Sequence, residues 1–461
     1  MVLYNGNNAN NTYTANSTGL DKIYGFGGDD ILALNGVKNF AWSAYNSIVS
    51  GGDGNDTITV TNSVGVTIFG DAGNNTINAS NSSRLTIQAG SGKGTVNLQD
   101  VTNSFIGTGS LNDDVTSKGN SLDYHSGYDL NTITAGSGND TIAITTQGNY
   151  VKGDLGNDTI TASLSLTKAL PTVRSIVTLS VNDIDGGAGN DVITSYLPVG
   201  VYKGGAGDDS ITIDNSNAVY QNYTFKASQI DASTKNTINT WNTVVDGGSG
   251  KDTIVLNNVN KALVADGSID WSGGQPKITY LDRAADVISV KGNDNTILLT
   301  DGDILTATGI NNDVRLYFAE NQGAAGSITS TNAASTNVNY KGANELYLMG
   351  NTGQNVANDY KNYVVLRQGN DLLIGAKTSN LFDTVVKGQF TNFSGFEAIK
   401  ANVNAVIDNK FLPTDWTATL DASDLVTLTN TLSKSLNLTS LDAVRASTLA
   451  TNLIQQAWDI G

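Results

Sequence analysis

The sequence contains no cysteine, a single histidine and only four prolines in 461 residues. Without cysteine there is no disulfide, no thiolate metal site and no cysteine nucleophile. One histidine, His125, cannot supply the pair in a His-Glu-x-x-His zinc site. No stretch approaches the ~18 consecutive apolar residues of a membrane-spanning helix. Met1 to Asn8 has neither the basic start nor the apolar run of a Sec-type signal peptide, so export by that route is not expected. Basic residues are also scarce. Against 43 Asp+Glu stand 26 Lys+Arg, for a formal charge of -17. Nucleic acid and anionic membrane surfaces are therefore poor partners, whereas hard divalent cations, which take oxygen ligands, suit the composition.

Catalytic signatures are missing too. No Gly-x-Ser-x-Gly nucleophile elbow occurs. Ala89-Gly-Ser-Gly-Lys93-Gly94 looks like a phosphate loop, but Gly94 stands where serine or threonine is needed and Ile87 breaks the upstream spacing. His125, within Asp123-Tyr-His-Ser-Gly-Tyr-Asp129, and the aromatics Trp241 and Trp271 are the residues left for a catalytic or sugar-stacking role.

Glycine is abundant, at 50 residues, and its placement is periodic. With so little proline, closely packed turns are expected rather than a collagen-like or linker segment. One nonapeptide recurs, Gly-Gly-x-Gly-x-Asp-x-apolar-x. Clean copies start at Gly51, Gly186 and Gly204, with aspartates Asp56, Asp191 and Asp209 in sixth place. Variants start at Ala135, Gly153 and Gly247, with Asp140, Asp158 and Asp252. Weaker copies start at Gly25 with Asp30 and at Gly70 with Asn75. The copy at Ala89 carries Gly94 in sixth place, and Gly6 to Tyr13 reads as a decayed first copy.

Starts at 51, 70 and 89 lie 19 residues apart, and 135/153 and 186/204 lie 18 apart. Between motifs comes a plainer turn and a second strand, as in Thr59 to Ile68, with the period-2 alternation of Ile, Val and Thr that marks strands. One coil is thus turn, strand, turn, strand. Strands ~4.8 Å apart would stack equivalent turns above one another. Intervals of 33 residues (153 to 186) and 43 residues (204 to 247) predict bulging loops or extra strands.

On these nonapeptides the chain resembles the RTX family of type I-secreted, calcium-binding proteins. The resemblance implies an all-β fold, a parallel β-roll or β-helix solenoid over 1–256. A β-rich region over 257–400 would either continue the solenoid or form an assembly interface. A C-terminal segment, 401–461, would hold an amphipathic helix over Ser440 to Trp458, serving as a secretion signal or as a cap. Ca2+ is the implied cofactor. A calcium ion needs 6–8 oxygens, more than one turn offers, so each ion should sit between two turns. Candidate ligands are Asp30, Asp56, Asp140, Asp158, Asp191, Asp209 and Asp252 in sixth place, and Asp53, Asp71 and Asp154 elsewhere in the turns. Turn carbonyls such as those of Gly51, Gly186, Gly204 and Gly247 complete the set. Since the plainer turns lack the motif, mainly one row of ions is expected. Asp303 and Asp415 lie outside the repeats and are expected to matter little.

Tyr363 to Ile374 followed by Asp383 to Phe390 is similar to a hairpin-and-strand module near the ends of RTX proteins. Gly323 to Asn339 reads as a loop. Three functions remain open: a structural subunit of an extracellular or cell-surface layer that self-associates; an adhesin or binder of surface polysaccharide; and a polysaccharide lyase or epimerase.

Overall fold

The structure, a computed structural model, describes residues 3–16, 18–38, 46–119, 130–163, 176–197, 199–216, 224–228, 242–265, 269–270, 277–278, 286–300, 303–309, 312–317, 326–331, 345–348, 360–377, 383–387, 389–390, 396, 398–401 and 418–460. His125, Trp241, Trp271 and Asp415 fall outside the described residues. The chain separates into two compact units, Met1–Ser210 with Asn217–Lys235, and Ile211–Ser216 with Asn236–Gly461.

In the first unit each coil gives one strand to each of two parallel sheets. One sheet runs, in order, Leu3–Asn7, Lys22–Gly27, Ser47–Asp53, Val66–Ala72, Thr86–Gln88, Phe105–Gly109, Thr132–Ser137, Tyr150–Leu155, Asp183–Ala188 and Gly200–Ala206. The other runs Thr12–Asn16, Ile31–Asn35, Thr57–Thr61, Thr76–Ser83, Thr95–Thr102, Asp114–Lys118, Thr141–Ile144, Thr159–Ala162 and Val192–Ser195. This is the parallel β-roll.

Register follows from the eighth motif position. Leu32, Ile58, Ile77, Val96, Val115, Ile142, Ile160 and Ile193 pair in sequence to make one column, and all are buried. A column in the other sheet runs from Ile23 through Val49, Ile68 and Ile87 to Ile184. Each such side chain contributes about 1.5–3 kcal/mol on burial. The core is therefore thin, and the turns at its margins carry a large share of the remaining interactions.

The first long insertion leaves the stack undisturbed. Asp140, Asp158, Asp191 and Asp209 stay on adjacent coils although 33 residues separate Asp158 from Asp191. Each insertion contributes one strand, Ile176–Ser180 and Thr224–Ser228, and these pair in parallel as a small side sheet. The extra strands expected from the spacing are present.

The second unit has the same architecture and carries the glycine motif in its first turn, at Gly247, beyond which the glycines fade. Thr243–Ser249, Ala262–Ala265, Thr296–Thr300, Asp313–Tyr317, Glu345–Leu348 and Ala398–Ala401 pair in parallel. So do Thr253–Asn257, Val287–Lys291, Ile304–Thr308, Gly326–Thr331 and Thr384–Lys387. Gly326–Thr331 lies within the stretch read as a loop from its small residues. Short Ser and β-branched Thr satisfy a strand as well as a turn, and pairing on both sides decides the outcome.

Parallel pairing then gives way to antiparallel. Thr384–Lys387 pairs with Asp371–Ala376, which forms a hairpin with Tyr363–Gln368 across Gly369-Asn370. Gly369, at φ +65, takes the left-handed conformation such a two-residue turn requires. The expected module is present. Ala398–Ala401 likewise pairs antiparallel with Ala418–Asp421, and that strand with Asp459–Ile460.

The expected single helix over Ser440 to Trp458 is two helices, Leu441–Ala446 and Thr448–Ala457. Ser440 caps the first, accepting from the Ala443 N–H. Ser447 breaks the run with extended backbone and caps the second through the Ala450 N–H, the competition with helix that serine side chains offer. An earlier helix, Ala422–Asn430, is capped by Asp421. Arg445 pairs with Asp383 and Asp442 and donates to the Ala376 carbonyl at 2.9 Å, tying the helical segment to the hairpin. Among the described residues no helix is long and apolar enough to cross a membrane.

Candidate metal centre

Each motif turn delivers its sixth residue, immediately before a strand, into the interior edge of the coil. There the carboxylates form a ladder. The N–H of Asp30 donates to Asp56 Oδ1 at 2.8 Å, Asp140 to Asp158 at 2.8 Å, Asp158 to Asp191 at 2.7 Å and Asp191 to Asp209 at 2.8 Å. Each aspartate thus satisfies the backbone of the coil before it. Exposure of these five residues and Asp209 is at most 3%.

The ladder includes residues that motif reading missed. Gly94 N–H donates to Asp113 Oδ1 at 2.6 Å, and Asp113 N–H to Asp140 Oδ1 at 2.7 Å. In the second unit the Asp252 N–H donates to Asp286, and Asp286 to Asp303 at 3.1 Å. Asp303 was expected to stand apart; it is buried on the ladder. The glycines have decayed at these turns, but the pattern Asp-x-apolar survives in Asp113-Asp-Val115, Asp286-Val-Ile288 and Asp303-Ile-Leu305.

A second ladder runs the opposite way at the fifth position. Asp29 Oδ1 accepts from the Asn55 N–H at 2.8 Å, Asn55 from Asn74 at 2.8 Å, Asn139 from Asn157 at 2.9 Å and Asn157 from Asn190 at 2.7 Å. The recurrent Gly-Asn-Asp is thus a reciprocal clamp, with the asparagine serving the next coil and the aspartate the previous one.

Turn glycines permit the close stacking. A Cβ at Gly156, which has φ +130, would lie 1.7 Å from the Gly138 carbonyl oxygen; one at Gly189 would lie 1.9 Å from that of Gly156. The first-position glycines face the carboxylates instead. A Cβ at Gly25 would meet Asp30 Oδ2 at 2.0 Å and the Gly51 carbonyl oxygen at 2.3 Å. At Gly153 the corresponding atoms are Asp158 Oδ2 and Gly186 O, and at Gly186 they are Asp191 Oδ2 and Gly204 O. Gly51 and Gly247 lie against Asp56 and Asp252. At each of the first three positions, a carboxylate oxygen and a carbonyl from the following coil converge on one small space.

Both converging groups are acceptors. The second oxygens of Asp30, Asp56, Asp140, Asp158 and Asp191 are buried and accept no hydrogen bond. Burial pushes the Asp56, Asp140 and Asp191 carboxyls up to about 6, against the backbone hydrogen bonds that hold them down, with neighbouring carboxylates adding to the rise. Asp30 and Asp158 are raised for the same first reason. Unpaired carboxylate oxygens converging with carbonyls call for a cation, and Ca2+ is the hard, oxygen-seeking choice. Among the described residues no three acidic or histidine side chains cluster. Such a site therefore depends on backbone carbonyls between the carboxylates.

Asp53, Asp71 and Asp154 are not on this ladder. Asp53 is exposed at the third position. Asp71 and Asp154 hold the second position at φ +65 and +72, a left-handed conformation that aspartate tolerates better than most residues. Asp71 accepts from the Ser50 hydroxyl at 2.6 Å.

The plain edge carries a neutral ladder. Leu85 N–H donates to Ser104 Oγ at 2.9 Å, Ser104 N–H to Asn131 Oδ1 at 3.0 Å and Asn149 N–H to Asn182 Oδ1 at 2.9 Å. Here the amide nitrogens act as donors: Asn131 Nδ2 to the Val101 carbonyl at 2.8 Å, Asn182 Nδ2 to that of Thr146 at 3.0 Å. From Leu85 to Asn182 the same backbone need is met without a leftover negative oxygen, whereas the first rung of this edge is the buried Asp21, whose N–H donates to Ser47 Oγ at 3.0 Å.

The family model for the RTX calcium-binding nonapeptide repeat matches, in four copies, over residues 5–37, 43–60, 67–82, 125–143 and 180–196. The chain carries RTX repeats. Its nonapeptide repeats bind calcium. Comparison of the chain with curated proteins gives no match. The RTX ladder itself extends beyond the matched segments, through Asp158 and Asp209 in the first unit.

Ladder membership, not glycine content, should govern the cost of losing an aspartate. Asp158→Ala orphans the buried Asp140 N–H, and Asp303→Ala does the same to Asp286. An orphaned buried donor costs about 1–3 kcal/mol. Asp53→Ala, at an exposed tip, should stay within about 0.5 kcal/mol. Denaturant unfolding in saturating calcium measures all three, and a silent Asp303→Ala would end the ladder at Asp286.

Proposed function

We propose that the sixth-position carboxylates and the turn carbonyls hold one row of calcium ions, and that the protein is a non-enzymatic, extracellular structural subunit. It folds on calcium after type I export and self-associates into a cell-surface layer. The observation that carries the proposal is the run of buried, unpaired Oδ2 atoms facing carbonyls of the next coil. The neutral Ser/Asn run from Ser104 to Asn182 supports placing the ions of those coils on the motif edge.

Assembly follows from charge. Subunits at a formal charge of -17 repel one another, and calcium both completes the fold and lowers that repulsion. Low calcium in the cytosol would keep the chain open for export, and higher calcium outside would fold it. Light scattering across a calcium series should show growth from monomer to large assemblies. Alginate, pectin and esters should remain uncut. A strict monomer that cleaves polysaccharide, with activity lost in His125→Ala, would overturn the structural reading; a monomer that binds glycan uncut would replace it with an adhesin.

A further inference from the structure

Two successive coils of the first unit have no sixth-position carboxylate. At the first, Asn75 keeps the backbone role of the ladder, its Oδ1 accepting from the Asp56 N–H at 2.8 Å. Its other terminus differs in kind from that of an aspartate. Asn75 Nδ2 donates to the Gly73 carbonyl at 3.1 Å and to the Ala89 carbonyl, on the next coil, at 3.0 Å. The space beside Gly70 is bounded by Ala89 O and Asn75 Nδ2, as that beside Gly25 is bounded by Gly51 O and Asp30 Oδ2. A donor replaces an acceptor, and the turn closes by itself.

At the second coil Gly94 offers no side chain, and a Cβ there would meet the Ala89 methyl at 2.7 Å. The preceding residue, Lys93, brings a positive charge, which pairs with Asp114 at 2.7 Å. We propose that Asn75 and Gly94 divide the calcium row into two arrays that load separately, the Asn75 amide standing where an ion would otherwise bridge the coils. One array contains Asp30 and Asp56; the other runs from Asp113 through Asp140, Asp158 and Asp191 to Asp209.

Distance supports the division. Three coil steps of ~4.8 Å place Asp113 about 14 Å from Asp56. At three times the spacing the Coulomb interaction is about a third of that between neighbours, so an ion in one array acts more weakly on the other array than on its own neighbours. Within an array neighbours are one step apart and each aspartate bonds to the next, which couples their loading.

This inference rests on the calcium reading, and the test separates the two. Equilibrium dialysis with radiolabelled calcium compares the full-length protein with Asn75→Asp and Asp191→Asn. Asn75→Asp should bind one more ion per chain, and Asp191→Asn one fewer. Hydrogen exchange across a calcium titration gives the second readout. In Asp191→Asn the midpoint for Thr159–Ala162 should move several-fold to higher calcium, while that for Thr57–Thr61 stays where it is in the parent. If the parent binds calcium but both midpoints move together, or a folded Asn75→Asp gains no ion, the division is wrong. Should Asn75→Asp fail to fold, the Asp191→Asn midpoints decide. A parent chain that binds no calcium at all would instead remove the calcium reading.

Discussion

Chelating calcium at neutral pH is expected to unfold the repeat stack of the first unit. Five neighbouring pairs of sixth-position aspartates, such as Asp140 and Asp158, sit on adjacent coils with their carboxyls buried. At ~4.8 Å and an effective dielectric near 20, two such charges repel by about 3–4 kcal/mol. Several such pairs match the whole net stability of an ordinary domain, roughly 5–15 kcal/mol. The thin aliphatic columns cannot absorb that cost. Each calcium that binds only the folded stack returns about 2.7 kcal/mol at a concentration a hundredfold above its Kd, besides cancelling the repulsion. Far-UV circular dichroism during chelation should therefore lose its β signal and recover it on adding calcium. Magnesium should recover little, because it demands a tighter octahedral shell and gives up its water reluctantly. A β spectrum unchanged by chelation would refute the ionic account of the turns.

Much of this was legible in the sequence because the determinants repeat. The apolar eighth residue, the sixth-position aspartate and the 18–19 residue period give the sheets, their register and seven rungs of the ladder. The hairpin at Tyr363–Ala376 was readable from its turn. What was not legible has a common cause. Asp113, Asp286 and Asp303 keep the carboxylate but have lost the glycines that advertise it, since a rung needs only an oxygen before an apolar strand. Asp53, Asp71 and Asp154, also candidate ligands, occupy the second and third positions of their turns and lie off the ladder, a placement that the motif alone does not reveal. The reciprocal clamp was hidden in a plain view of Gly-Asn-Asp: only the structure shows that the two side chains serve opposite neighbours. At the helical end, Ser447 reads equally well as a mid-helix residue or a cap, and helical periodicity does not separate the two.

Acid should stabilise the calcium-free stack rather than denature it. Asp56, Asp140 and Asp191 are pushed from 3.8 up to about 6 by burial, and Asp30, Asp113 and Asp158 are raised too. A raised carboxyl binds its proton more tightly in the folded state than in the unfolded chain. Its stabilising contribution is therefore complete below about 3.8 and is lost as pH rises through about 6. Asp421, lowered by its helix-capping hydrogen bonds to Asp424 and Ser423, acts oppositely, but it is one group against six. The proton also has somewhere to point. A neutral aspartic acid has the shape of asparagine, and Asn75 shows the result: a hydrogen donated from the second terminus to the carbonyls of Gly73 and Ala89. With calcium bound the slope should reverse, since its ligands must be deprotonated and protons then compete with the ion. Thermal melts in chelator should accordingly show no transition near pH 7 and one that appears and rises in Tm as pH falls toward 5, and in excess calcium Tm declining over the same window. A Tm that falls with pH in chelator would mean that the buried carboxylates are not the groups that limit the calcium-free fold.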